Sequence, residues 1–164
     1  MYNEEDIPQY LKSFLDYMST IKGRSANTVK EYYYDLRYAL KYLKITKEDK
    51  ISDKNITPEL IEKTDITKLD KNFLKMIQLN DLYKYLNYLS SVNLDKSSTR
   101  ARKVAALKSF FNYLTFKEKI LDKNPTVELE TPKISKRLPK YLSLDESLSL
   151  LHSVNGEFEK RDLC

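Results

Sequence analysis

SSTRARKVAALKSFFNYL, residues 97–114, decides how the chain is read. Apolar side chains recur at Val104, Leu107, Phe111 and Leu114, the spacing that lines one face of an α-helix, and Ser97 or Ser98 offers an N-cap hydroxyl in front of them. The stretch therefore predicts a helix with one buried stripe. Its first turns carry Arg100, Arg102 and Lys103, and cations at the positive end of a helix dipole cost about 0.3 to 1 kcal/mol each. Such charges become useful when an external anion sits there, because free backbone N–H groups and the side chains then address the same phosphate. Ala105, Ala106 and Ser109 leave a low surface beside Arg102, suited either to a close-lying nucleic-acid backbone or to another helix.

Upstream, Ile7, Tyr10, Leu11, Phe14, Leu15, Met18 and Ile21 keep the same helical spacing, and Gly23 ends that helix. A second helix opens at Ser25 or Asn27 and turns Val29, Tyr32 or Tyr33, Leu36, Leu40 and Leu43 inward. At 100° per residue, Lys30, Tyr34, Arg37 and Lys41 gather on its opposite side as a basic, tyrosine-bearing stripe. Residues 44–72 show no sustained period and read as a charged connector, with Thr57-Pro58 placed to start a short turn. DKNFLKMI (70–77) adds a short helix, and Asn80 caps another with Leu82, Tyr85, Leu86 and Leu89 inward.

Downstream, Pro125 closes the bundle. Residues 126–140, with Pro132, Pro139 and no helical period, read as a basic linker. Ser143 and Glu146 then match an S-x-x-E capping box, and Leu144, Leu148 and Leu151 supply a stripe up to Asn155-Gly156. The division expected is 1–125, 126–140 and 141–164, the last being the truncated start of a second helical domain.

The 164 residues carry net charge +5, with 41% hydrophobic and 32% charged side chains and only 2 Gly and 5 Pro, a composition for a folded, mostly helical protein. Charge is uneven along the chain. Residues 96–140 hold 12 Lys or Arg against 4 Asp or Glu, and residues 22–43 hold 5 against 2, whereas 44–95 balance at 9 each. Two separated basic stretches are the footprint of a polyanion-binding face. No apolar run is long enough to span a bilayer, and the acidic start resembles no targeting peptide, so a cytoplasmic protein is expected. One cysteine, Cys164, and one histidine, His152, exclude a disulfide framework and a His/Cys metal cluster. No Gly-rich phosphate loop and no hydrolase or metalloprotease motif is present, and His152 among leucines reads as an ordinary helix-face residue. No metal, cofactor, small-molecule substrate or membrane is expected.

Several motifs in order now point to a family. Ser25-x-x-Thr28-x-x-x-Tyr32-x-x-Asp35-Leu36, SSTRARKVAALKSFFNYL, Asn124-Pro125, Pro132-Lys133 and RLPKYLSLDES (137–147) together resemble the N-terminal half of Xer-type tyrosine recombinases of the phage-integrase family. The resemblance implies an all-α, SAM-like orthogonal bundle of about four main helices that clamps one side of a DNA site, followed by a linker and the first residues of a catalytic domain. By the same resemblance, Asn27, Thr28, Lys30 and Tyr34 contact DNA from the second helix, and the basic stripe read from helical geometry adds Arg37 and Lys41 as candidate contacts. Thr99, Arg100, Arg102 and Lys103 do so from the fourth, and Lys136 and Arg137 touch phosphates from the linker. The catalytic arginine, lysine, histidine and tyrosine set of the family is not matched here, so the chain is expected to bind double-stranded DNA at a palindromic site, beside other recombinase protomers, without cutting it. The longer connector at 44–72 departs from the short family pattern. A helical interaction or regulatory module that binds an acidic partner or DNA is the rival reading.

Overall fold

The computed structural model describes residues 4–52, 55–92, 95–133 and 143–153. The chain divides into two compact units, Met1–Ile134 and Ser135–Cys164. After a 3-10 turn at Glu4–Asp6, the first unit holds α1 (Gln9–Thr20), α2 (Ala26–Lys47), α3 (Pro58–Lys63), α4 (Lys71–Met76), α5 (Leu79–Ser91) and α6 (Ser97–Phe116). No strand occurs among the described residues, so the all-α expectation holds, with α1, α2, α5 and α6 as the four main helices.

Each main helix buries the stripe its sequence spacing marks out. Tyr10, Leu11, Phe14, Leu15 and Met18 of α1 are buried, as are Val29, Tyr33, Leu36, Leu40 and Leu43 of α2 and Leu82, Tyr85, Leu86 and Leu89 of α5. Ile21, expected in the first stripe, is 72% exposed because α1 stops at Thr20 and the chain turns away. Aromatic rings join the helices. Phe14 of α1 meets Phe110 of α6 edge-on at 5.3 Å between ring centroids, while Tyr42 of α2 lies 5.3 Å from Tyr85 and 5.1 Å from Tyr88 of α5. Such pairs add about 0.5 to 1.5 kcal/mol each beyond the area they bury.

Residues 44–72 are more than a connector. Thr57 Oγ1 accepts from the Leu60 N–H at 3.3 Å and Pro58 occupies the first helical position, so α3 forms as the Thr-Pro pair predicts. Ile56, Ile61, Ile66 and Leu69 are all buried, and the segment lies on the core rather than beside it. Its anchors come one per turn or bend, a spacing that matches neither the helical nor the strand period. Two caps also differ from expectation. At α5 the cap is Gln78, whose N–H donates to the Asp81 carboxylate at 2.8 Å, and Asn80 sits inside the first turn. At α6 the cap is Lys96, with no side-chain cap bond, and Ser97 is already helical.

Three helices end in the same way, with a residue in the left-handed region. Gly23 (φ 58°) follows α1, Lys50 (φ 53°) follows α2 and Lys119 (φ 52°) follows α6. In each case the next N–H reaches back six residues: Arg24 to the Met18 carbonyl, Ile51 to Ile45 and Ile120 to Leu114, at 2.9 to 3.1 Å. Beyond α6, Ile120, Leu121, Thr126 and Leu129 are buried and the Tyr83 hydroxyl donates to the Glu128 carbonyl at 3.1 Å. The described start of the expected linker therefore packs on the bundle.

In the second unit, α7 spans Leu144–Ser153. The Ser143 N–H donates to the Glu146 carboxylate at 2.8 Å and the Glu146 N–H to Ser143 Oγ at 3.2 Å, the reciprocal pair that S-x-x-E predicts. Lys136, Arg137 and the Asn155-Gly156 helix end lie outside the described residues.

Candidate nucleic-acid interface

The expected site residues fall into two groups with different surroundings. At the start of α2, Ser25 caps the helix by accepting from the Thr28 N–H at 3.4 Å, and its hydroxyl lies 3.0 Å from Thr28 Oγ1, which leaves Thr28 half-buried. Asn27, Lys30 and Tyr34 are exposed. Among the described residues none of these three has a hydrogen-bond or ion-pair partner. Only the Tyr34 ring is braced, 5.1 Å from that of Tyr33 at 73°. An amide, an ammonium and a phenol thus share an outward face, with no ion pair to Lys30 among the described residues and with Glu31 and Asp35 beside Tyr34.

Farther along α2 the stripe closes. Arg37 lies 3.9 Å from the Asp6 carboxylate and 4.0 Å from that of Glu62. Lys41, expected to be exposed, is 3% exposed, and its Nζ donates to the Glu62 carbonyl at 2.6 Å. Burial pushes its ammonium below the usual lysine range. Lys41 is therefore removed from the candidate face. The helical-wheel position was right, but the segment around α3 covers it.

At the start of α6 the cations turn inward. The Arg102 guanidinium contacts the Asp35 carboxylate at 2.5 Å and that of Glu31 at 2.7 Å, while Lys103 Nζ lies 3.5 Å from Asp35, 3.8 Å from Asp95 and over the Tyr38 ring at 5.2 Å. Arg100 donates to the Asp95 carbonyl, and Thr99 is half-buried. Asp35 is only 3% exposed, and desolvation pushes its carboxyl above the usual range against the pull of Lys103 and Arg102. The Lys103 side chain is 12% exposed and that of Arg102 38%. Two of the three cations in the first turns of α6, Arg102 and Lys103, thus meet carboxylates of α2 and of the α5–α6 turn, and the third, Arg100, meets a backbone carbonyl of that turn. The Arg102 side chain keeps a half-open edge, and Arg100 is half-buried. Ala106 is fully buried against the core, whereas Ala105 stays exposed.

Two concavities flank the α2–α6 pair. One, of about 220 Å³, is the charged pocket just described, lined by Glu31, Tyr34, Asp35, Arg37, Arg102 and Lys103 among others. The other, of about 230 Å³, lies between the end of α1, the α1–α2 turn and the outer half of α6, and its only charged lining residues are Lys22, Arg24 and Lys117. Sequence reading passed over these three because they sit at helix ends, outside any periodic stripe. Their one signal was the basic excess of the segments that hold them.

Comparison with known proteins agrees with this architecture. Residues 11–65 match the family model described as phage integrase, N-terminal SAM-like domain. The chain is similar to tyrosine recombinase XerC of Caldanaerobacter subterraneus subsp. tengcongensis, with 46% identity over 155 residues, covering 94% of this chain and 42% of that protein. It is similar to tyrosine recombinase XerD of Halalkalibacterium halodurans, at 34% identity over 93% of this chain and 43% of the relative, and to XerD of Listeria monocytogenes, at 32% over 87% and 40%. The chain spans about two fifths of the length of these curated relatives. No solved structure matches.

Proposed function

Because the chain belongs to the Xer-type tyrosine recombinases of the phage-integrase family and carries their N-terminal SAM-like domain, we propose that it is the sequence-specific, DNA-binding part of a site-specific recombinase. The observation that carries this reading is the 46% identity to a tyrosine recombinase over 94% of the chain. The exposed, unpaired Asn27, Lys30 and Tyr34 at the start of α2 support it. An amide can read a base edge, a lysine can neutralise a phosphate, and a tyrosine hydroxyl can donate a hydrogen bond to a phosphate oxygen. Thr28 and the half-open Arg102 border this face. Arg37, Thr99, Arg100 and Lys103 support it from behind, and Lys136 and Arg137, which lie outside the described residues, are assigned phosphate contacts by the family resemblance alone. In the domain division proposed, 1–125 holds the duplex, 126–140 crosses it and 141–164 begins a second domain.

The target is a duplex with palindromic half-sites in the cytoplasm, occupied by further protomers that exchange strands without a metal or nucleotide. The test is selection of the 164-residue chain against random duplexes. Enrichment of a shared half-site, lost in Asn27→Ala and weakened in Lys30→Ala, is the expected result. Equal retention of all duplexes at matched salt overturns the reading in favour of a module that binds anions without regard to sequence.

A further inference from the structure

The acidic side chains of the bundle are distributed so that one basic concavity is neutralised and the other is not. In the pocket at the start of α6, Arg37, Lys41, Arg102 and Lys103 share the lining with Glu31, Asp35 and Glu62. At the far end of the same helix pair, Lys22, Arg24 and Lys117 line a concavity of similar size with no Asp or Glu in its lining, while at its edge the Glu118 carboxylate accepts from the Tyr113 hydroxyl. All three are exposed, and among the described residues none has an ion-pair partner. Lys22 Nζ instead lies over the Tyr17 ring at 5.8 Å, a contact that holds an ammonium near the mouth without cancelling its charge. Ser109 and Asn112 of α6 add hydrogen-bonding groups to the wall. Three cations beside one carboxylate, itself engaged by the Tyr113 hydroxyl, leave the concavity net positive, an arrangement that an outside anion completes.

The placement favours one anion. α2 and α6 run antiparallel, since Asp35 meets Arg102 while Tyr32 lines the same concavity as Ser109 and Asn112. The concavity is bordered on the α2 side by Arg24, just ahead of the helix, and by Tyr32, and its wall continues along α6 through Ser109, Asn112 and Phe116 into a hollow with Lys108 whose lining holds no carboxylate. That is a track of positive and polar groups rather than a closed cup, suited to a polymeric phosphodiester. We propose that the concavity of Lys22, Arg24 and Lys117 seats backbone phosphates of the duplex held by α2. The inference rests on the DNA-binding reading and extends it to residues outside the face described above.

The test measures duplex affinity of the 164-residue chain by fluorescence anisotropy across a potassium chloride series, for wild type, Arg24→Ala/Lys117→Ala and a control, Lys68→Ala/Lys84→Ala, whose lysines are exposed elsewhere. Thermal unfolding by circular dichroism checks that each variant is folded. The pocket variant is expected to bind on the order of tenfold more weakly near physiological salt and to lose about two units of log–log salt slope, with the preferred sequence unchanged. The control should lose neither. If the pocket and control variants behave alike while wild type binds duplex, the pocket proposal fails and the DNA reading stands. If wild type binds no duplex, both fail. A third arm replaces DNA with inorganic phosphate at constant ionic strength. Saturable shifts of Arg24 and Lys117 resonances at millimolar phosphate, together with an unaltered salt slope in the variant, would make this a small-anion site and overturn the proposal.

Discussion

Asp35 shows what a single buried carboxylate does in this molecule. It sits 3% exposed between Arg102 and Lys103, and burial outweighs their attraction in setting its protonation. A buried ion pair of this kind contributes little net stability but fixes which groups must meet, here α2 against α6. Removing one partner is a different matter. Asp35→Ala leaves Lys103, whose side chain is 12% exposed, with only the longer Asp95 contact at 3.8 Å, and should cost about 1 to 3 kcal/mol in urea unfolding. The double variant Asp35→Leu/Lys103→Met should recover most of that loss, and a double as unstable as the single would exclude this account. The sequence made the cations visible but not their partners. Arg102 and Asp35 are 67 residues apart, so counting charge along the chain assigned to an outside anion what an inside carboxylate already held. For Lys30 and Tyr34 the reading from the helical wheel agreed with their exposure, because nothing from another segment covers them.

At the scale of elements, the four main helices were legible because each buries a stripe at a spacing of three or four residues. What escaped was packing without a period. Around α3, isolated isoleucines hold the segment down and bury Lys41 beneath it. Short helices of this kind depend on their caps. Asp70 accepts from the Phe73 N–H at 2.9 Å at the start of α4, and that bond holds its carboxyl below the usual range. A group whose folded pKa is lowered stabilises fully above its unfolded value, about 3.9, and loses that contribution as pH falls through the folded value. Exchange of the Phe73 amide, corrected for intrinsic rate, should therefore accelerate as pH drops below about 4. Asp70→Asn keeps the acceptor but not the titration, and its local exchange should be flat over the same range.

For the whole molecule, composition and order of motifs were enough to place the chain among helical N-terminal portions of phage-integrase-type recombinases, and the SAM-like domain match and the identity to XerC and XerD relatives agree. The division of labour between the two concavities was not legible, since it depends on which helix ends become neighbours. It changes what salt titration should show. Lys103→Ala is expected to lower stability and leave the log–log slope within about half a unit of wild type, while Arg102→Ala removes about one unit. A loss of a full unit in Lys103→Ala would return that residue to the interface. None of the tyrosines sits in the motif context of the family's nucleophile, so the 164-residue chain should give no detergent-resistant adduct on nicked duplexes. An adduct would place strand cleavage in this portion of the protein.

The turns after α2 and α6 place lysines where α1 has glycine. Side chains with a Cβ sit in that backbone region at roughly 1 kcal/mol or more of steric cost, and glycine gives back part of the relief through its greater freedom in the unfolded chain. Lys50→Gly and Lys119→Gly should together still raise the melting temperature by a few degrees. Neither lysine lines either of the two concavities that flank α2 and α6. The molecule thus carries a reserve of durability that can be drawn on without altering its grip, a practical route to longer-lived samples for studying the complex.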